Sequence, residues 1–506
     1  LDVSGTALVT GVLTTTAATV SNGGGQFNGA INVGVDGTGY DVKFFGDTAS
    51  AYMLWDQSTD DLILGGAAKM GIGETVPLGL LHVKKTDTGN APQNPAGNQI
   101  VIENGDSSGS ADLQFLAPSN GYSHIFFGDA DDANIGTLLY AHTNNSMIFS
   151  TNTATALTID SSGNIIIANT GGTLYTTTAG TSNFRAGVNA GNSIVSGGNQ
   201  NVVVGDEAGT ALTNGDANVA LGYKALFTED TGNFSTAIGT SALQTQNNNA
   251  DVYNTAVGWN AGLDLTDGFR NVFVGAAAAA NATETDDSVV IGAYAAGGAV
   301  LTGHDSVVIG AYAGYSMAAA GAAVVIGKEA GKFLSAANYN VFIGYQAGLG
   351  RTGAPITGDD NVAIGMAAGL SLEGAAIGNT LIGTHAGDAI TTGDRNVAVG
   401  LGALNSETTG NRAVAIGYSA LAVQNKAAES HNTAVGYNAG GAVTSGDHNT
   451  MMGYGAFDDC IDANFNTAIG SGALSADCGN SNVAVGYAAG NASTGAGSTF
   501  LGQTAG

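Results

Sequence analysis

Between residues 199 and 506, apolar and polar positions alternate in short bursts that each end on a glycine. The same burst returns about every 17 residues. Residues 361–369 give its wording, N-V-A-I-G-x-x-A-G, and eighteen such glycines run from Gly205 to Gly502. Alternation with a period of two predicts a strand over the four residues before each glycine. Recurrence at a fixed short period predicts a solenoid, in which each unit buries its apolar face only against its neighbours. In residues 361–365, Val362 and Ile364 project one way and Asn361 and Ala363 the other. The Val/Ile face is expected to fill the coil. The second face carries Ala220, Phe273, Val290, Phe342, Leu381 and Met451 in its middle position, so it is apolar too and needs a cover, either the far side of the coil or a partner chain.

Asparagine opens most of these strands, at Asn201, Asn218, Asn254, Asn271, Asn340, Asn361, Asn379, Asn396, Asn432, Asn449, Asn466 and Asn482. Stacked turn on turn, these residues are expected to form a structural amide ladder that also closes the corner. Alanine stands three residues after every glycine, where backbones approach closely. Aromatic residues recur just after the glycine at Tyr223, Trp259, Tyr345, Tyr418, Tyr437, Tyr454 and Tyr487. Such a column stabilises the stack more often than it binds glycans. Three loops, residues 244–251, 349–355 and 422–430, are longer than their siblings and are the places where contact surfaces are expected.

The front part has a different pattern. Residues 1–39 read as a β connector. Residues 40–85 form a first β module around VKFFGD, AYMLWD and LILGG, and the Pro-, Asn- and Gly-rich residues 86–99 form a linker. Residues 100–170 form a second module that repeats the FFGD phrase, and residues 171–198 are a transition to the shaft at 199–506. The fold class is therefore all-β: small N-terminal modules followed by a long parallel β-solenoid or β-roll.

Composition supports this outline. With 80 glycines and only 11% charged residues, the chain suits many thin rungs better than one thick core. A net charge of −28 opposes nucleic-acid phosphates and anionic membrane surfaces, and no apolar run is long enough for a membrane span. No signal-peptide pattern is visible from Leu1 onward, and the chain is expected to be a segment of a longer protein. Cys460 and Cys478 occupy the same loop of successive repeats, about one strand spacing (~4.8 Å) apart, which allows a disulfide and equally allows two unlinked thiols.

Candidate chemistry is sparse. Asp129, Asp131, Asp132 and Asn134 offer hard oxygen ligands for calcium, but Ala133 replaces an EF-hand ligand and no glutamate closes the loop, so no metal is expected. The pairs Asp359/Asp360 and Asp458/Asp459 lie in loops, where solvated acidic turns are common, and no cofactor motif or nucleophile elbow is present. The chain is not expected to be an enzyme.

Some phrases resemble known families. SVVIGAYAAG at Ser288 and NVAVGYAAG at Asn482 are similar to the head repeats of trimeric autotransporter adhesins. The T-G-x-x-N-T-A-V-G-Y wording around Thr231 and His431 and the FFGD modules are similar to bacteriophage tail-fibre proteins. The resemblance implies a homotrimeric fibre in a virion tail, extracellular, which attaches to a host receptor or glycan and joins other tail proteins. A bacterial surface adhesin is the alternative, and a glycan-cleaving tail spike a third.

Overall fold

A computed structural model describes residues 41–47, 50–65, 68–72, 75, 81–83, 115–128, 131–132, 134–152, 154–167 and 180–506. The connector at 1–39, the linker at 86–99 and part of each neighbouring module lie outside the described residues. The chain divides into two compact units, Leu1–Thr173 and Leu174–Gly506.

In the first unit, β1 (Val42–Phe45), β2 (Tyr52–Asp56) and β3 (Asp61–Gly65) form an antiparallel meander, as the VKFFGD, YMLWD and LILGG phrases predict. Two short strands, β4 (Met70–Ile72) and β5 (Leu81–Val83), pair in parallel. A five-stranded antiparallel sheet follows, made of β6 (Tyr122–Phe127), β7 (Gly136–Ala141), β8 (Ser146–Thr151), β9 (Ala154–Ile159) and β10 (Ile165–Ile167). Its last turn is closed by Asp160, whose Oδ1 accepts the backbone N–H groups of Ser162 and Asn164, both at 2.9 Å. Further donation from the Asn164 side chain holds that carboxyl below the usual range. Both sheets expose large apolar side chains, among them Phe45, Trp55, Phe126 and Phe127.

The second unit is the solenoid. Nineteen three-residue strands, from β11 (Phe184–Ala186) to β29 (Thr499–Leu501), stack in sequence order and in parallel as one sheet. At ~4.8 Å per strand this is roughly 85 Å of stack. The register is in step throughout: Val362 lies beside Thr380 and Ala363 beside Leu381, for example. Hydrogen bonding between turns continues around the corners, as in Gly205 N–H to Ala186 O at 2.7 Å and Glu207 N–H to Val188 O at 2.8 Å. The repeat therefore satisfies its backbone by stacking, with little regular structure of its own.

Two sequence expectations need correction. The array begins one turn earlier than residue 199, because N-F-R-A-G-V-N-A-G at residues 183–191 is already a rung. Arg185 hides it, since it replaces the small apolar middle residue. Its guanidinium donates from Nε to Ala190 O at 2.6 Å.

The second correction concerns which face is inside. The middle residues are the core: Val203, Ala220, Phe273, Ala363, Leu381, Ala398 and Met451 are all fully buried. The flanking Val, Thr and Ile residues point outward, and several, such as Leu221, Ile382 and Met452, are more than a third exposed. The coil packs the middle residues, most often alanine, against loop aliphatics such as Leu265, Leu372 and Ile390, and leaves the flanking Val, Thr and Ile on the outer face.

Inside, some turns exchange volume between two positions six residues apart. Where the middle residue is Phe342, position 348 is glycine, and an added Cβ there would lie 2.7 Å from the ring. Where the middle residue is Ala415, the equivalent position is the fully buried Leu421. Both positions have left-handed backbone, with φ of 54° at Gly348 and 48° at Leu421. At the strand-ending glycines space and strain act together. Gly383 has φ of 132°, and a Cβ on it would meet Gly400 O at 2.6 Å.

Candidate functional site

The strand-opening asparagines are buried and form the expected ladder, with different bonding. Each Oδ1 accepts the backbone N–H of the next turn, as from Asn396 N to Asn379 Oδ1 at 3.0 Å. Each Nδ2 donates to a loop carbonyl, as from Asn379 to Gly393 O at 2.8 Å. Side-chain contacts between ladder members are secondary, such as Asn396 Nδ2 to Asn379 Oδ1 at 3.2 Å. The ladder thus holds backbone groups that the corner would otherwise leave unpaired.

A second ladder runs along the outer loops two residues earlier, and it accounts for several acidic residues. Asn199 N–H donates to Asp216 Oδ1 at 2.6 Å, Asp216 N–H to Asn233 Oδ1 at 2.7 Å, and Asn338 N–H to Asp359 Oδ1 at 2.7 Å. Its bonds run from one turn's backbone to the next turn's side chain, opposite to the inner ladder. The signal was in the sequence, in the Asp or Asn of the T-G-D-x-N phrase. Asp359 is therefore a structural acceptor, and its neighbour Asp360 takes a left-handed corner conformation.

Polar residues also replace the aliphatic inward position in two pairs of turns. Position 265 is Leu, 390 Ile and 443 Val, but Glu229 with Gln246 and Glu407 with Gln424 fill it elsewhere, all fully buried. Gln246 Nε2 donates to Glu229 Oε2 at 2.9 Å and to Ser235 Oγ at 2.8 Å, while Gly232 N–H donates to Glu229 Oε1 at 2.7 Å. Gln424 Nε2 donates to Glu407 Oε2 at 3.0 Å. Both pairs sit where the ladder asparagine is replaced by a smaller residue, Ser235 or Ala413, so the glutamine takes the vacated space. Burial pushes the Glu229 carboxyl above the usual range, and its three N–H donors pull it partly back.

These pairs change the picture of the long loops. Residues 244–251 and 422–430 are anchored inward by Gln246 and Gln424. Residues 349–355 are pinned at one end by buried Ile356, and Arg351 reaches Glu373 at 3.8 Å. Cys460, at the inward position seven residues after Gly453, and Cys478, eight residues after Gly470, are buried in successive turns and form a disulfide, with Cα atoms 5.5 Å apart.

Of the calcium candidates, Asp129 lies outside the described residues. Asn134 donates its backbone N–H to Asp132 Oδ1 at 3.0 Å in a local turn, and Asp131 precedes it. Among the described residues, no three His, Cys, Asp or Glu side chains are grouped to hold a metal ion. No described helix is long and apolar enough to cross a membrane.

The aromatic column is exposed. Tyr418, Tyr437 and Tyr454 stack with centroids 5.0 and 5.1 Å apart and planes within 9°. Tyr223, Trp259 and Tyr345 stand without an aromatic in the next turn's position, which holds Thr240, Ala276 and Met366. A second stack, Phe234 on Tyr253 at 5.1 Å, lies on the outer loops. Beyond Tyr454, Asp458 has a carboxyl raised by burial and by the neighbouring Asp459 charge, and its Oδ1 is buried without a hydrogen-bond partner.

Compared with known proteins, the chain matches no family model, no curated protein and no solved structure. What it does must be argued from its own surfaces. Among these is the outer sheet face, two columns of Val, Thr, Ile, Leu and Met along the eighteen strands from residue 202 to residue 501.

Proposed function

We propose that this chain is a structural and adhesive fibre subunit, most simply a phage tail fibre, in which copies associate through the outer face of the solenoid sheet. The observation that carries the proposal is the pair of outward columns. Three residues wide and about nineteen strands long, the face measures roughly 85 Å by 10 Å, on the order of 850 Å². A stable interface takes about 800 Å² from each partner, and a monomer rarely leaves so long an apolar stripe in water. The exposed aromatic faces of the N-terminal sheets support the same reading, because small sheets gain stability when another layer covers them. The similarity of the repeat and FFGD wording to tail fibres favours a trimer that holds a host-binding end away from the virion. Affinity then comes from several copies acting together.

Sedimentation of the 506-residue chain tests the proposal. A trimer is expected, and a stable monomer at micromolar concentration overturns it.

A further inference from the structure

We propose that a slot between Tyr454 and Tyr487 binds one neutral pyranose ring of a glycan. This inference rests on the fibre function proposed above and names the ligand class such a fibre takes at this place.

The slot arises from one substitution in a regular column. Tyr418, Tyr437 and Tyr454 stack on successive turns, and Tyr487 continues the column, but the intervening turn carries Ser471. One ring is missing, and a cavity of about 250 Å³ opens there. Gly472 lines it, and a Cβ there would come no closer than 4.0 Å to Ser475 Oγ, so the space beside it is open. Asp458, Ser475 and Asn491 line the rim.

Spacing and chemistry select the guest. Tyr454 and Tyr487 are two strand spacings apart, roughly 10 Å, so a guest's mid-plane lies roughly 5 Å from each wall. Phenol rings of this column already stack at 5.0 and 5.1 Å between centroids, so the slot has the thickness of one ring. A pyranose, with axial C–H bonds directed to both walls, fits that thickness. Its partly positive hydrogens meet the negative faces of the phenol rings. The rim offers a carboxyl, a hydroxyl and an amide, which accept from and donate to equatorial hydroxyls. The charges of Asp458 and Asp459, on a chain of net charge −28, repel an anionic sugar and select a neutral one.

The test is saturation-transfer NMR on the full chain with the methyl glycosides of glucose, galactose, mannose and N-acetylglucosamine, and adenosine as a flat-ring comparator. At least one glycoside is expected to receive saturation at its ring C–H protons. Ser471→Tyr, which completes the column and leaves the far-UV circular dichroism unchanged, is expected to weaken binding at least tenfold, and Tyr487→Ala similarly. Transfer to adenosine alone, to no glycoside, or unchanged by Ser471→Tyr overturns the proposal. Sedimentation of the same samples separates the two claims. A monomer that still binds the glycoside defeats the fibre function and leaves the slot, whereas a trimer that binds no glycoside does the reverse.

Discussion

The ring of Phe342 occupies the space into which a side chain on Gly348 would grow, 2.7 Å from its would-be Cβ. One turn of the solenoid thus exchanges volume between two positions six residues apart, and Ala415 with Leu421 makes the opposite choice. Phe342→Ala should cost about 3–5 kcal/mol through the cavity it leaves. Adding Gly348→Leu should restore a large part of it, since leucine already takes this left-handed position at 421. Thermal melts of the single and double variants check this, and a double variant no better than Phe342→Ala would refute the volume exchange.

The two faces of each strand should respond oppositely to charge. Ala363→Asp places an unpaired carboxylate in the closed coil and should cost more than about 4 kcal/mol, unfolding the surrounding turns. Val397→Asp with Val399→Asp alters only the outer face, so circular dichroism should persist while the proposed assembly dissociates. Dissociation by Ala363→Asp with the fold retained would reverse the assignment.

Glu229 gives a pH signature. Its folded carboxyl is raised by burial, so the folded chain holds this proton more tightly than the unfolded one. The stability it contributes is full below the ordinary carboxylate range and is lost as pH rises through the raised folded value. Other carboxylates act in the opposite sense, as at Asp447, lowered chiefly by Lys426. The useful measure is therefore a difference. The melting temperature of Glu229→Gln minus that of the native chain should increase with rising pH, and a flat difference from pH 4 to 8 would contradict the assignment.

The bond between Cys460 and Cys478 closes a short loop, with a sequence separation of 18. Its removal should cost about 3 kcal/mol, felt locally because each turn contacts only its neighbours. Hydrogen exchange in Cys460→Ser with Cys478→Ser should accelerate in the turns around residues 450–490 and remain native near residue 300. Thiol titration of the denatured native chain should find no free thiol.

The sequence-stretch that reads most clearly is the ladder. Asn379, Asn396 and their equivalents recur at one spacing in one polar-to-apolar context, and burial of an amide at every turn leaves few structures but a stack. The outer Asp/Asn ladder was equally present in the T-G-D-x-N phrase. It was obscured because an acidic residue in a loop is as well explained by solvation as by an N–H group from a neighbouring turn. Glu229 and Gln246 were harder still, since only the fold places residues from successive loops inside the same coil. The slot beside Ser471 depends on Tyr454 and Tyr487 lying two turns apart on one line, and that line is the stacking axis.

By itself, the sequence determined an all-β chain, a parallel stack of short strands, the positions of the corners and the asparagine ladder, because a strict period leaves each unit only its neighbours to pack against. It did not determine which apolar face lies inside. Alternation divides Val362 and Ile364 from Ala363 but assigns neither to the core. The tertiary structure decided it, because the coil closes over the middle residues and packs them against loop aliphatics such as Leu372 and Ile390, leaving the flanking residues outside, where the next copy of the chain is proposed to meet them.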